Sequence, residues 1–529
     1  MNMSDASKKQ VIAIGIESAD MYLIEKWCEE GKLPTLQKLK EKGTWRKLIS
    51  TGDVASASSW PTLHTGTSPA KHGISRSHRH LKTGTYEIHK QYANAVHEEP
   101  CWIPLSRSGK RCAIIDVPKS MPEEGFNGIH FVNWGDEHQT WKQSSWPIDF
   151  TKEVIEKFGR HPLENWYMVR PQTQKEYSDL LENLLKGIHA RNAMAKYVLE
   201  KERWDLFLIS YSELHWVGHL YWHLMDETHP DYDVALAKVF GDAILQCYQA
   251  IDKGIEAMLP EDLENTTVMV FSNIGMGPNY SGRHLVGEVL KKLGMAGNVS
   301  SKQKKGVLSW LPAKKWGELA LERAELVIPI SLIKTVKKFI PEKLWDTWTR
   351  KFLYGGNNWK DSLAFSLPSD YSGAIRINLV GREPNGKIKE GKGYDEICAK
   401  IKSAFEALIN PATGKKAVAE VIIVRDEHKG KYVNELPDIV ITWSQDAPIK
   451  ALSSPQIGTV SGVLIDKHTG GHQPYGFLIL AGSNISTIGT LEEAHIMDIA
   501  PTILGLLGEN IPQNMDGKLL PELKGLEVY

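Results

Sequence analysis

Short apolar runs recur along the chain and stop abruptly at polar residues. Val11-Ile-Ala-Ile-Gly-Ile16 ends at Glu17, Cys112-Ala-Ile-Ile115 at Asp116, Leu206-Phe-Leu-Ile209 at Ser210 and Val268-Met-Val-Phe271 at Ser272, and Phe477-Leu-Ile-Leu480 repeats the type. Such runs, apolar at every position, read as strands buried on both faces of a parallel sheet. Most are separated by helically spaced apolar residues, such as Tyr22, Leu23 and Trp27, then Leu36 and Leu39. The alternation predicts a mostly parallel sheet with helices on both sides. The polar residues at the carboxyl ends of its strands are where such sheets build sites.

Two stretches differ. Residues 301–360 mix basic and apolar positions, as in SKQKKGVLSWLPAKKW, and read as a basic helical insertion. Solvated lysines on surface helices are the plainer account. A cap over an anionic substrate, or peripheral contact with an anionic membrane surface, is the functional one. Residues 361–450 read as a small α+β subdomain, with strands at Ala374–Asn378 and Ile439–Thr442 and a helix over Tyr394–Leu408. The expected organisation is an α/β core begun by residues 8–300, the insertion 301–360, the subdomain 361–450, and completion of the core by 451–525.

Charge and cysteine content narrow the function. Across 529 residues, 63 Lys and Arg balance 64 Asp and Glu, which argues against a surface built for a nucleic acid duplex. The five cysteines, Cys28, Cys101, Cys112, Cys247 and Cys398, form no C-x-x-C pair, so neither a disulfide framework nor a cysteine zinc site is expected. No run reaches the roughly 18 apolar residues of a membrane span. The polar start MNMSDASKKQ leads into a short strand, not a signal peptide. A cytoplasmic protein is expected.

The 19 histidines change the picture, since imidazole is the commonest metal ligand. Glu213-Leu-His215-Trp-Val-Gly-His219-Leu-Tyr-Trp-His223 follows a strand directly. Histidines at i and i+4 project from one helix face, so two imidazoles can meet one metal, with His223 continuing the row. Hydrogen-bonded core histidines are the alternative, and the position after a strand end favours ligation. In Thr469-Gly-Gly-His472-Gln-Pro-Tyr-Gly476 the glycines give the backbone freedom to deliver an imidazole, although a glycine-rich loop with one histidine is more often only a loop. In Ser56-Ala-Ser-Ser59-Trp60-Pro61, a serine loop turns into a helix with proline in its first turn. A hydroxyl there suits a nucleophile beside free N–H groups, and simple N-capping is the commoner use.

These elements, in this order, resemble the alkaline phosphatase superfamily, and within it the type I phosphodiesterase / nucleotide pyrophosphatase branch. The resemblance runs over about residues 11–520. Ile14-Gly-Ile-Glu17-Ser-Ala-Asp20 resembles the family's opening metal strand. Trp60 to Gly73 resembles its Trp-Thr…Thr-Gly…Pro…His-Gly block, Ser272-Asn-Ile-Gly-Met276 its Ser-Asp-His-Gly-Met strand end, and Asp498-Ile-Ala-Pro-Thr502…Met515-Asp-Gly517 its closing segment. The implied fold class is α/β, an alkaline-phosphatase-like three-layer sandwich with a mostly parallel central sheet, carrying the helical insertion and the small α+β subdomain.

The resemblance further implies two metal seats around a Ser or Thr nucleophile. One seat takes an Asp, a His four residues on and a late His, here His215, His219 and His472, so a third imidazole replaces the carboxylate. The other takes the opening Asp, the nucleophile and an Asp-His pair, here Glu17, Ser56, Asn273 and Ile274. Asn273 is a weak ligand and Ile274 none, so one metal is expected, zinc by ligand type, with manganese or iron also fitting. Ser56 lies nine residues before Thr65, and Ser59 is the fallback. Glu17 is expected either to bind metal or to take the serine's proton. His78, Arg79 and His80 are candidates for the missing positive charge, and Asp136 with His138 forms a further loose pair. The expected function is a metal-dependent hydrolase of phosphate esters, phosphodiesters above all, acting on a small anionic substrate. Transfer of a phospho group to an alcohol acceptor and a catalytically impaired homologue that only binds are the alternatives.

Overall fold

The apolar runs pair edge to edge because each has both faces covered. In Gln10–Ile16, Ile12, Ile14 and Ile16 point into one core while Val11 and Ala13 point into the other. Leu206–Tyr211 divides the same way, with Phe207, Ile209 and Tyr211 on one side and Leu206 and Leu208 on the other. Period-2 geometry thus turns an unbroken apolar run into a strand that serves two layers. The computed structural model describes residues 9–51, 56–75, 80–89, 91–135, 143–164, 168–297, 359–462, 468–483, 485–486 and 488–523.

Among the described residues the main sheet has 10 strands. Its centre is parallel: Thr266–Phe271, Gln10–Ile16, Leu206–Tyr211, Cys112–Ile115 and Gly128–Val132 lie side by side. Tyr475–Ala481 runs antiparallel between Thr266–Phe271 and Gly43–Ile49. One core packs the helices Gln174–Lys201, Glu213–Met225 and Ala243–Met258 on the sheet, and the other packs Ser59–Thr65, Trp102–Arg107 and Ile499–Leu506. This is the three-layer α/β sandwich that the resemblance implies.

A second, antiparallel sheet orders Ala364–Ser366, Gly373–Ile377, Ile439–Trp443 and Val418–Ile423, with the helix Lys392–Glu406 packed on it. Its core also takes Leu285, Val286 and Val289 from before the insertion and Ile449 and Leu452 from after the last strand. Inside it, Arg382 donates to both oxygens of Asp438 at 2.8 and 2.6 Å, and Arg376 donates to Glu383 at 2.7 Å. Apart from its last two residues the basic insertion 301–360 lies outside the described residues, and the expected membrane contact with it. Among the described residues no helix is long and apolar enough to cross a membrane.

The topology fixes where chemistry can gather. The parallel strands end together at Ile16, Ile115, Tyr211 and Phe271, so Glu17, Asp116, Glu213 and Asn273 emerge along one sheet edge. The antiparallel strand Tyr475–Ala481 starts at that same edge, which brings His472 there from far along the chain.

Candidate metal centre and nucleophile loop

Glu213–Met225 begins just beyond the Leu206–Tyr211 strand, and it carries His215 and His219 on one face. Thr469–Gln473 arrives through the short strand Gly470–Gln473, which pairs Met276 with His472 and Gly277 with Gly471. The two glycines are required here for space, not for unusual backbone angles. A Cβ on Gly470 would lie 2.2 Å from the Gly218 carbonyl oxygen, and one on Gly471 would lie 2.9 Å from the Tyr371 ring. Close approach of backbone to helix is what lets His472 meet His215 and His219.

One ring nitrogen from each of these three histidines lies within 4.8 Å of the other two. His219 Nε2 and His472 Nε2 are 3.1 Å apart, near the edge of about 3.3 Å that two ligands make in a tetrahedron at Zn–N distances of about 2.0–2.1 Å. His219 Nδ1–H donates to the Gly470 carbonyl at 2.8 Å. That bond fixes the ring and leaves Nε2 as the lone-pair nitrogen, the usual outer support of a ligating histidine. Burial, with His468, His215 and His472 nearby, pushes the His219 pKa well below its ordinary value, so the ring is neutral and able to ligate. Three converging imidazoles fit one zinc ion. Tyr371 stacks on His219, and its hydroxyl lies 2.9 Å from His468 Nδ1. His223 is apart from this group: its Nδ1 is 3.0 Å from Thr469 Oγ1, and Tyr177 lies on its other side at 3.2 Å.

Glu17 stands beside the triad, with Oε1 3.5 Å from His215 Nδ1. Its Oε2 is buried without a hydrogen-bond partner. Register places Glu17 opposite Asn273, two positions beyond the Gly15–Phe271 pair, so both face the Ser59–Thr65 helix. Asn273 Nδ2 donates to Ser59 Oγ at 2.8 Å, and its Oδ1 has no partner. Ile274 is 2% exposed and offers only hydrocarbon. A carboxylate, an amide and an isoleucine do not fit a second zinc ion.

Ser56 opens the short 3-10 turn Ser56–Ser58 that leads into the helix; its side chain lies outside what the structure describes. Ser58, the cap residue, makes no side-chain cap bond. The turn is held instead by a line of side chains. Ile74 N–H donates to His72 Nδ1 at 3.2 Å, so the His72 Nε2–H donates to Thr62 Oγ1 at 2.9 Å. Thr62 meets Thr51 at 3.2 Å, and Thr51 meets Ser58 at 3.1 Å. His78, Arg79, Asp136 and His138 lie outside the described residues. His80 turns from the centre towards Ser75 at 2.6 Å and Glu435 at 3.3 Å.

Sequence reasoning missed one buried group at the same edge. Arg191 Nη1 donates to Asp116 Oδ2 at 2.7 Å and Arg191 Nε to Glu213 Oε1 at 3.0 Å, while His161 Nε2 lies 3.1 Å from Glu213. The Trp134 and Gly135 N–H groups both donate to the Asp116 carboxylate at 2.8 Å. Asp116 sits at φ +56°, a left-handed conformation that costs a non-glycine residue about 1–2 kcal/mol. The cluster anchors the first turn of the helix that carries His215. Asp116, directly after one apolar strand, and Glu213, two positions beyond the end of another, were the available signal.

A cavity opens beside His472 and Ile274, walled by Tyr280 and Tyr371 and by Thr442, Trp443 and Gln445 of the small sheet's last strand and the loop after it.

The fold thus gathers the serine turn and three converging imidazoles at one edge of a mostly parallel sheet. The type I phosphodiesterase / nucleotide pyrophosphatase family model matches residues 11–351. The chain belongs to this family, whose members are phosphoester hydrolases. Its structure is similar to phosphonoacetate hydrolase from Sinorhizobium meliloti 1021 in complex with phosphonoformate, at 13% identity over 95% of this chain and 96% of that one, TM-score 0.48. It is also similar to murine ectonucleotide pyrophosphatase / phosphodiesterase 5, at 13% identity over 96% and 98%, TM-score 0.45. No curated protein sequence matches the chain significantly.

Proposed function

We propose that this chain cleaves phosphate esters, diesters foremost, with a serine nucleophile beside a single metal seat formed by His215, His219 and His472. The observation that carries this reading is the convergence of three ring nitrogens within 4.8 Å at the sheet edge that also holds the serine turn. Zinc is the ion the ligand set favours, and when bound with an open fourth position it supplies a Lewis acid for the phosphoryl oxygen.

The chain's own groups do the remaining work. Ser56 Oγ forms a bond to phosphorus as the ester oxygen departs with its electron pair. The serine proton passes to Glu17, whose Oε2 is unpartnered; a serine without a second metal ion needs such a base. Water then attacks the phosphoserine and restores the hydroxyl. Ser59, bonded to Asn273, is the second nucleophile candidate. The five cysteines are buried and free, which accords with a reducing, cytoplasmic setting.

Hydrolysis of bis(4-nitrophenyl) phosphate together with metal content tests the reading. Ser56→Ala is expected to abolish turnover and keep the metal, whereas His219→Ala loses both. Undiminished turnover in Ser56→Ala with loss in Ser59→Ala moves the nucleophile to Ser59. Protein that neither contains nor takes up metal refutes the seat.

A further inference from the structure

The hairpin that joins Ala364–Ser366 to Gly373–Ile377 carries Tyr371 away from the small sheet and up to the metal seat. The Tyr371 ring stacks on His219 at an interplanar angle of 12° and lies 4.8 Å from the His472 ring. Hydrogen bonds fix the loop there. Ser281 Oγ donates to the Tyr371 carbonyl at 2.6 Å, Arg283 Nη1 donates to the Ser369 carbonyl, and the Ser369 and Ser372 hydroxyls meet at 2.9 Å. Tyr371 and His472 also line one cavity, so the tyrosine stands on the open side of the seat. Its hydroxyl oxygen is 3.1 Å from His219 Nδ1 and 3.3 Å from His219 Nε2. Such nearly equal distances keep it off the Nε2 lone-pair axis, where a metal ion would lie. For an ion about 2.0–2.1 Å from Nε2, they put the hydroxyl oxygen about 4–5 Å from the ion. That is too far for coordination. It is the span of one metal–oxygen bond of about 2.0–2.2 Å followed by one hydrogen bond of about 2.7 Å. His219 Nδ1–H is already donated to the Gly470 carbonyl, and the hydroxyl's own partner is His468 Nδ1 at 2.9 Å. A phenol oxygen can accept one hydrogen bond and donate another.

We propose that Tyr371 is a further substrate-binding residue: its phenol accepts from His468 Nδ1–H and donates to an oxygen of the phosphoryl group held at the metal seat. The inference rests on the phosphoesterase reading and deepens it. A centre with one ion leaves the phosphoryl oxygens short of partners, and a preorganised hydroxyl supplies one. The small subdomain thereby contributes a side chain to the site.

The test uses the zinc-loaded full chain and calorimetric titration with inorganic phosphate and with imidazole. Both take an open metal position, but only phosphate brings an oxygen that accepts a hydrogen bond; an imidazole bound through one nitrogen offers only the N–H of the other. Tyr371→Phe keeps the ring and its stacking on His219 and removes the hydroxyl alone. It is expected to weaken phosphate about tenfold or more and to leave imidazole affinity and zinc content unchanged. His468→Ala is expected to weaken phosphate in the wild-type background and to have no further effect in Tyr371→Phe, because it acts through the phenol. Unchanged phosphate affinity in Tyr371→Phe, an equal loss for phosphate and imidazole, or loss of zinc from that variant overturns the inference. Equal losses from His468→Ala in the two backgrounds overturn the part given to His468. Wild type that binds zinc and phosphate, with a variant that binds both as well, leaves the hydrolase reading standing and removes only the role of Tyr371. Wild type that takes up no zinc, or holds it and binds no phosphate, removes both.

Discussion

Arg191 is fully buried and holds two carboxylates at once, Asp116 at 2.7 Å and Glu213 at 3.0 Å. Burial pushes the Glu213 carboxyl up, and Arg191 with His161 more than offsets this, holding it at about 2 against an ordinary 4.5. At 1.36 kcal/mol for each pH unit, that depression is worth about 3 kcal/mol. Removing one partner from a buried ion pair costs about 3–5 kcal/mol by a separate route, because the charge left behind has no water. Arg191→Met keeps an extended apolar side chain beside Trp134, over whose ring the guanidinium now lies at 5.2 Å. It is expected to lower stability by about 3–5 kcal/mol at pH 7, and adding Asp116→Asn and Glu213→Gln is expected to recover most of that loss. The folded Glu213 lies below its unfolded value, so its contribution is complete above pH 4.5 and vanishes as pH falls towards 2. The gap between wild type and Arg191→Met therefore closes on acidification. Urea denaturation at about pH 7, 5 and 3.5, followed by tryptophan fluorescence and circular dichroism together, measures it. A loss under about 1 kcal/mol at pH 7, or a gap that does not change with pH, refutes the reasoning.

Three further outcomes are expected. His472→Ala removes bound metal while far-ultraviolet circular dichroism stays unchanged, since His472 lies on a short strand outside the main sheet; elemental analysis against wild type reads this. Asn273→Asp combined with Ile274→His supplies the carboxylate and imidazole that the second seat lacks, and raises metal content from one equivalent to two, whereas Ile274→Ala does not. Asp20 is raised by burial to about 6 while accepting from the Leu23 N–H at the start of its helix. Its folded value exceeds the unfolded one, so wild-type stability falls as pH rises from about 4 to 6. Asp20→Asn keeps the cap and is expected to flatten that slope in thermal melts, with a gain of up to about 3 kcal/mol at pH 7.

What the sequence revealed depended on how local each feature is. The central strands were legible because burial on both faces leaves no polar position in Val11–Ile16 or Val268–Phe271. His215 and His219 were legible because one turn of helix sets their spacing. His223 continues that row in sequence but not in space: each four-residue step overshoots a full turn by about 40°, so after two steps the side chain has swung about 80° away, towards Thr469 and Tyr177. His472 needed the family resemblance, since nothing local says that an antiparallel strand will start at the edge where parallel ones end. The Asp116–Arg191–Glu213–His161 cluster was out of reach. Its members come from four distant segments, and Arg191 lies in the long helix Gln174–Lys201 with nothing in its surroundings in sequence to mark a buried residue.

The departures from the family pattern fit one coordinated change better than they fit decay. The pattern that the resemblance implies has three carboxylates around two divalent ions, a net surplus of one positive charge. Here His215 stands where one carboxylate would be and Asn273 where another would be, and Glu17 keeps the third. Two negative charges are gone, and the second seat, with Ile274, no longer accommodates a dication, which removes two positive charges. The surplus over Glu17 with one zinc ion is again one positive charge, matched to the single negative charge of a phosphodiester. In a site this buried, an unmatched charge would be expensive. Loss of the second ion with both carboxylates retained would have left the centre with a net negative charge towards an anionic substrate. Under the proposed function, the matched removal keeps the electrostatics of a phosphoester site while shifting the burden of activating the serine from a metal ion to the protein's own Glu17.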